Sequence, residues 1–138
     1  MKPRIKGPRA QEDVQHEKPS ALVILVVEDC SMIRELACRM LSELGHSCIE
    51  ANCAEHAMRI LEQESADLVI TDYSMSEMTG LELIEYIKKT HPATPAILAS
   101  GYDTSLTHPD IFNLSKPYFL EDLKKAIQKA VPPYNRNG

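Results

Sequence analysis

No stretch of this sequence is apolar for long enough to cross a bilayer. The longest apolar run, residues 21–27, falls far short of the roughly 18 residues that a spanning helix needs. An apolar segment is also missing behind the basic residues 1–9, so no secretory leader is expected and the expected location is cytoplasmic. Excess positive charge is absent. Lys and Arg number 15 against 20 Asp and Glu, for a formal net charge of -5. That balance argues against a generic nucleic-acid or anionic-membrane surface. The four cysteines, Cys30, Cys38, Cys48 and Cys53, form no C-x-x-C pair and have no histidine cluster beside them. They are expected to be small buried or half-buried thiols in a reducing compartment, not metal ligands.

What remains is a chain of 138 residues, 43% hydrophobic and 25% charged, the profile of one globular domain. Residues 1–20 carry three prolines, many charges and almost no large apolar groups, and are expected to be a flexible tail or linker. At residue 21 the character changes. Residues 22–27 (LVILVV) suit a strand covered on both faces, as in a parallel sheet between helix layers. Helical spacing follows at Ile33, Leu36, Ala37, Met40, Leu41 and Leu44, with Ser31 as N-cap and Gly45 as stop. Further strands are expected at 47–50, 67–71, 95–99 and 111–114. Helices are expected from Asn52, with Glu55 as cap partner, and from Thr79 and Gly80. A last helix should run through Leu120, Leu123, Ile127 and Val131, ended by the Pro132–Pro133 pair.

This alternation predicts an α/β fold, a doubly wound five-stranded parallel sheet with helices on both faces. The domain spans residues 21–132, and 133–138 form a short tail. In such sheets the site lies beyond the carboxyl ends of the strands. Those positions hold Glu28 and Asp29 after the first run, Asp72 after the third, Ser100 after the fourth and Lys116 after the fifth. Three close carboxylates repel one another unless something neutralises them. A hard divalent cation such as Mg²⁺ takes oxygen ligands of this kind. A carboxylate can also act as a nucleophile and become an aspartyl-phosphate. Phosphoryl transfer then depends on alignment and charge neutralisation, to which Lys116 would contribute. The histidines, His16, His46, His56, His91 and His108, stand at no strand end beside the acids and are expected in loops or on the surface.

The motifs VVED (26–29), TDYSMSEMTG (71–80), LASGY (98–102) and SKPY (115–118), in that order, resemble the receiver domains of two-component signalling. The likeness covers 22–131. It implies a flavodoxin-like sheet of order 2-1-3-4-5 and a phosphoacceptor at Asp72. It implies Mg²⁺ held by Asp29, Asp72 and the backbone carbonyl of Ser74, with Glu28 near the ion, directly or through water. Ser100 becomes the hydroxyl that follows the phosphoryl group, and Gly101 the small residue that leaves it room. Lys116 becomes the ammonium of the family motif, preceding a proline whose bond is often cis. The donor would be a histidine kinase or a histidine phosphotransfer protein, and phosphorylation would regulate an output protein that the sequence does not name. The domain would act as a switch that assists its own phosphorylation and hydrolysis.

The sequence departs from this family at four points. Ser76 stands where proline is usual, and Glu28 where Asp is commoner. Asn113 occupies the usual place of an aromatic switch residue, which leaves Tyr102 as a substitute for the readout. The crossover 101–110 is short and polar, so the fourth helix is expected to be reduced to a turn or absent, as in a receiver subfamily with a loop in its place. A loop that orders on phosphorylation would then carry the signal. Losing the usual helix-built dimer face favours a monomer. Two other readings compete. One is a pseudo-receiver, an interaction module independent of phosphorylation. The other is a small aspartyl phosphohydrolase, disfavoured because Ser74 stands where such enzymes commonly carry a second acid.

Overall fold

The computed structural model describes residues 21–101 and 111–132. In chain order the elements are β1 (Val23–Val27), α1 (Ser31–Glu43), β2 (Ser47–Ala51), α2 (Ala54–Gln63), β3 (Leu68–Asp72), α3 (Gly80–Thr90), β4 (Ala96–Ser100), β5 (Phe112–Ser115) and α4 (Leu120–Ala130). The five strands form one parallel sheet of order β2-β1-β3-β4-β5, as expected. The expected tails, 1–20 and 133–138, and the crossover residues 102–110 lie outside the described residues. The expectations of a flexible tail, of a missing helix in that crossover and of Tyr102 in the readout lie there too.

The central strands are buried on both faces, so their aliphatic runs alternate between two cores. On one face Ile24, Val26, Ile70, Ile97 and Leu114 pack against Ala37 and Leu41 of α1 and Leu123 and Ile127 of α4. On the other, Leu25, Val27 and Val69 meet Ala54, Ala57 and Leu61 of α2 and Leu83 and Ile87 of α3. This alternation also sorts the polar strand ends. Glu28 continues the parity of Ile24 and Val26, Asp72 that of Leu68 and Ile70, and Lys116 that of Leu114. All three therefore leave the sheet on the α1/α4 face. The register completes the alignment: Val27 lies opposite Thr71, Asp72 opposite Ala99, and Ser100 opposite Ser115.

Several local expectations shift. Cys30, not Ser31, is the N-cap of α1, and it makes no side-chain capping bond. The second helix begins at Ala54, with Cys53 as N-cap accepting from the His56 amide. The Thr79 start of α3 holds as expected. Thr79 and Glu82 form a reciprocal capping box, in which each side chain accepts from the other residue's backbone amide. His46 stands in the turn between α1 and β2, within the loop-or-surface expectation, and is buried there. Its Nδ1 accepts from the Leu22 amide at 3.0 Å, so it closes the turn after α1 onto the start of β1.

The reading of the cysteines as unpaired thiols is corrected for one pair. Cys38 on α1 and Cys48 on β2 are joined by a disulfide, with Cα atoms 5.7 Å apart. Packing α1 against the edge strand brings together two residues that no local spacing motif marks. Cys30 and Cys53 are free.

Candidate functional site

Each acid is presented by the element that ends at it. Asp72 is the last residue of β3, a strand buried along its whole length, and is itself only 7% exposed. The backbone of the next residue, Tyr73, is fixed at both its amide and its carbonyl. The Tyr73 amide donates to the Ala99 carbonyl at 2.8 Å, and the Gly80 amide returns to the Tyr73 carbonyl at 2.9 Å. A Cβ built on Gly80 would lie 2.1 Å from the Asp72 carbonyl oxygen and 3.0 Å from Leu98 Cδ1. Only glycine allows α3 to start this close behind Asp72. Within the intervening loop Glu77 adopts a positive φ of 70°.

Glu28 follows β1 and is buried, while the neighbouring Asp29 is exposed. One carboxylate oxygen each from Glu28, Asp29 and Asp72 lies within 4.8 Å of the others. Among the described residues this is the group of acids placed to hold a metal ion. The donor set is oxygen only and triply anionic, which fits a hard divalent cation and not a soft one.

Lys116 enters from the far edge of the sheet. Its amide donates to the Ser100 carbonyl at 2.7 Å, and its bond to Pro117 is cis. Its Nζ reaches Asp72 Oδ1 at 2.5 Å and Glu28 Oε1 at 3.4 Å. The second Glu28 oxygen, Oε2, accepts from the Cys30 amide at 3.0 Å. Glu28 is thus shared between an ammonium and a backbone amide.

The electrostatics follow this packing. Burial pushes the Glu28 carboxyl above its ordinary value of 4.5. The Cys30 amide opposes that shift, and the charge of Asp72 adds to it. Burial alone would lower the Lys116 ammonium, but the hydrogen bond and charge of Asp72 override this and hold it above 10.5. Tyr118, half-buried behind Lys116, is raised chiefly by burial.

Ser100, the last residue of β4, is buried, and Gly101 has nothing within 4 Å of an added Cβ. Space therefore exists at Gly101. Ser74 is exposed, two residues past Asp72. Asn113 is exposed on β5, and its side-chain amide donates to the Ile111 carbonyl at 2.8 Å.

Two features escaped the sequence reading. Arg34 on α1 donates through Nη1 to the Glu28 carbonyl at 2.7 Å and through Nε to Glu50 at 2.9 Å. Beside it, Ile33 and Leu36 do not join the core. They line an apolar cavity of about 450 Å³ with Met40, Gly101, Lys116, Pro117 and Tyr118.

Comparison with known proteins agrees with this geometry. The family model for the response regulator receiver domain matches residues 24–128. The transcriptional regulatory protein GlrR of Escherichia coli is 33% identical over 120 residues, covering 83% of this chain and 27% of that protein. The autoinducer 1 sensor kinase/phosphatase LuxN of Vibrio campbellii is 29% identical over 110 residues, 75% of this chain and 13% of that protein. The chain thus spans about a quarter or less of the length of these relatives. A receiver domain protein of Clostridium thermocellum superposes with a TM-score of 0.74 at 27% identity, covering 84% of this chain and 98% of that one. The response regulator TrrA of Thermotoga maritima, solved in complex with Mg²⁺ and BeF, superposes with a TM-score of 0.72 at 29% identity, covering 79% and 98%.

Proposed function

The chain belongs to the response regulator receiver domain family, a family of signalling switches, and from that premise we propose that it accepts a phosphoryl group on Asp72 and relays that event to a partner. The observation that carries this reading is the contact of the Lys116 ammonium with Asp72, inside the acid group formed with Glu28 and Asp29. A nucleophilic carboxylate, a cation-holding acid pair and a fixed ammonium are the parts that phosphoryl transfer requires.

Asp29, Asp72 and Glu28, with the Ser74 carbonyl, would hold Mg²⁺. The ion would neutralise charge on the phosphoryl oxygens. The chain's own residues do the rest. Asp72 offers its carboxylate as the nucleophile, held by β3 and by the loop that closes on Gly80. Lys116, paired with Asp72, would set its positive charge beside the phosphoryl oxygens that Asp72 receives. Ser100 stands ready to donate a hydrogen bond, and Gly101 leaves the space. Their positions favour a switch that assists both its own phosphorylation and its slow hydrolysis.

The donor would be a histidine kinase or a histidine phosphotransfer protein, approaching on the side where α1 leaves Ile33 and Leu36 uncovered beside Lys116. No helix among the described residues is long and apolar enough to cross a membrane. A cytoplasmic site of action is part of the same proposal. The relatives include both a transcriptional regulator and a sensor kinase, so either a separate regulator or the receiver of a longer kinase accommodates the chain.

Incubation with acetyl phosphate and Mg²⁺, read by intact mass, tests the reading. One added phosphoryl group should appear in the native chain, vanish with EDTA and be absent from Asp72→Asn. A chain that gains no mass, yet folds, would be a phosphorylation-independent interaction module.

A further inference from the structure

The Arg34 side chain ties α1 to the end of β1 and to β2 beside the acid group. It projects from the first turn of α1, and its side chain is 17% exposed. Nη1 donates to the carbonyl oxygen of Glu28 at 2.7 Å, and Nε pairs with Glu50 of β2 at 2.9 Å. The Glu28 amide, on the other side of the same residue, donates to the Ala51 carbonyl at 3.1 Å. Glu28 is therefore held at its amide by β2 and at its carbonyl by Arg34, and Arg34 is itself anchored to β2.

The carbonyl that Arg34 holds belongs to the peptide linking Glu28 to Asp29. Orienting that peptide sets the directions in which both acid side chains leave the backbone. Those two carboxylates, with Asp72, make the cation-holding group. A guanidinium suits this task because its planar fork can serve two acceptors at once in fixed directions. An ammonium could serve either acceptor but not impose both directions.

We propose that Arg34 is a positioning residue for the cation-binding acid pair, fixing the Glu28–Asp29 peptide by bracing it against Glu50 of β2. This rests on the Mg²⁺-dependent phosphoacceptor reading given above. Arg34 touches neither the ion nor the phosphoryl group. Its effect is on how much ordering Mg²⁺ must impose on the two carboxylates when it binds. Residues that orient metal ligands commonly change metal affinity by about 10- to 100-fold when removed.

The test is Mg²⁺ titration of the full chain without any phosphodonor, followed by backbone amide NMR shifts at Cys30 and Tyr73. Thermal unfolding in EDTA is measured in parallel. Arg34→Ala should need on the order of tenfold more Mg²⁺ for half-saturation. Arg34→Lys should fall between Arg34→Ala and the native chain. Glu50→Ala changes a residue on the exposed side of β2, away from the ion, and should weaken Mg²⁺ binding in the same direction by a smaller factor. A folded Arg34→Ala chain with native Mg²⁺ affinity, even if less heat-stable, would give Arg34 a structural role only and overturn the proposal. If Arg34→Ala does not fold, unchanged affinity in Glu50→Ala overturns it equally. A native chain that binds no Mg²⁺ defeats the phosphoacceptor reading itself. A native chain that binds normally alongside indifferent variants defeats only the role of Arg34.

Discussion

β3 and β5 both deliver a charged residue to the same point, and they do it by opposite means. β3 lies mid-sheet with all five residues buried, and Asp72 is its last residue. β5 is an edge strand with one buried residue in four, and Lys116 follows its end. Asp72 is therefore placed by packing, before any charge is considered. Lys116 is placed by one backbone bond to Ser100 and by attraction to Asp72 and Glu28. Asp72 sits on the rigid strand, and its counter-charge sits on the strand with less packing to hold it.

The largest effect should come from removing that counter-charge. Lys116→Ala leaves Asp72 and Glu28 facing each other without an ammonium. Phosphorylation by acetyl phosphate, followed by mass, should slow by about 100- to 1,000-fold, the scale of losing one fixed electrostatic partner. A native rate would mean that the ammonium contributes nothing to the chemistry and that the two strands differ only in burial.

The packing half of the comparison is tested by truncating one apolar residue on each strand. Ile70→Ala on β3, at 3% exposure, should cost about 3 kcal/mol of unfolding free energy in urea. Phe112→Ala on β5, at 40% exposure, should cost less than about 1 kcal/mol despite removing more atoms. Equal losses would erase the distinction.

The smallest effect concerns Glu28 without metal. Its carboxyl is raised above 4.5, chiefly by burial, so the folded chain holds a proton there that the unfolded chain has released. Between 4.5 and the raised value, stability should fall as pH rises, and the loss is complete above the folded value. Glu28→Gln cannot titrate. The native chain should therefore lose ground to this variant as pH climbs from 4.5 to 7, in urea melts run in EDTA. Unchanged spacing between the two curves would show that Lys116 and Cys30 fully compensate the burial.

Much of this architecture is legible in the residue order, for a simple reason. Continuous aliphatic runs such as 22–27 can only be satisfied by burial on both faces, and that requirement implies parallel strands and helices between them. Glu28, Asp29, Asp72, Ser100 and Lys116 could be picked out because the fold puts strand ends on one edge. The misses are long-range. Polar Asp72, Ser100 and Ser115 belong to the ladder, so three strands end one residue later than their apolar runs. His46 is a turn residue as expected, but its burial follows only from the Leu22 amide, which comes from far away in the sequence. Cys38 and Cys48 carry no local sign of their pairing. Arg34 reads as an ordinary surface cation until α1 is laid against β2. Ile33 and Leu36 fit the helical stripe, yet they face a cavity, because the stripe is wider than the contact that α1 makes with the sheet.

Gly80 has a consequence for anyone wishing to rebuild the protein. The loop 73–79 leaves Asp72 and returns to within touching distance of it, closed by the Gly80 amide on the Tyr73 carbonyl. Its interior is largely exposed at Ser74, Ser76 and Glu77. The segment is thus an exchangeable cassette with a fixed clasp. Ser74 and Ser76 can be varied to tune what the loop contacts, while Met75 and Met78 pack against the core and the last joint must stay without a side chain or α3 is pushed off Asp72.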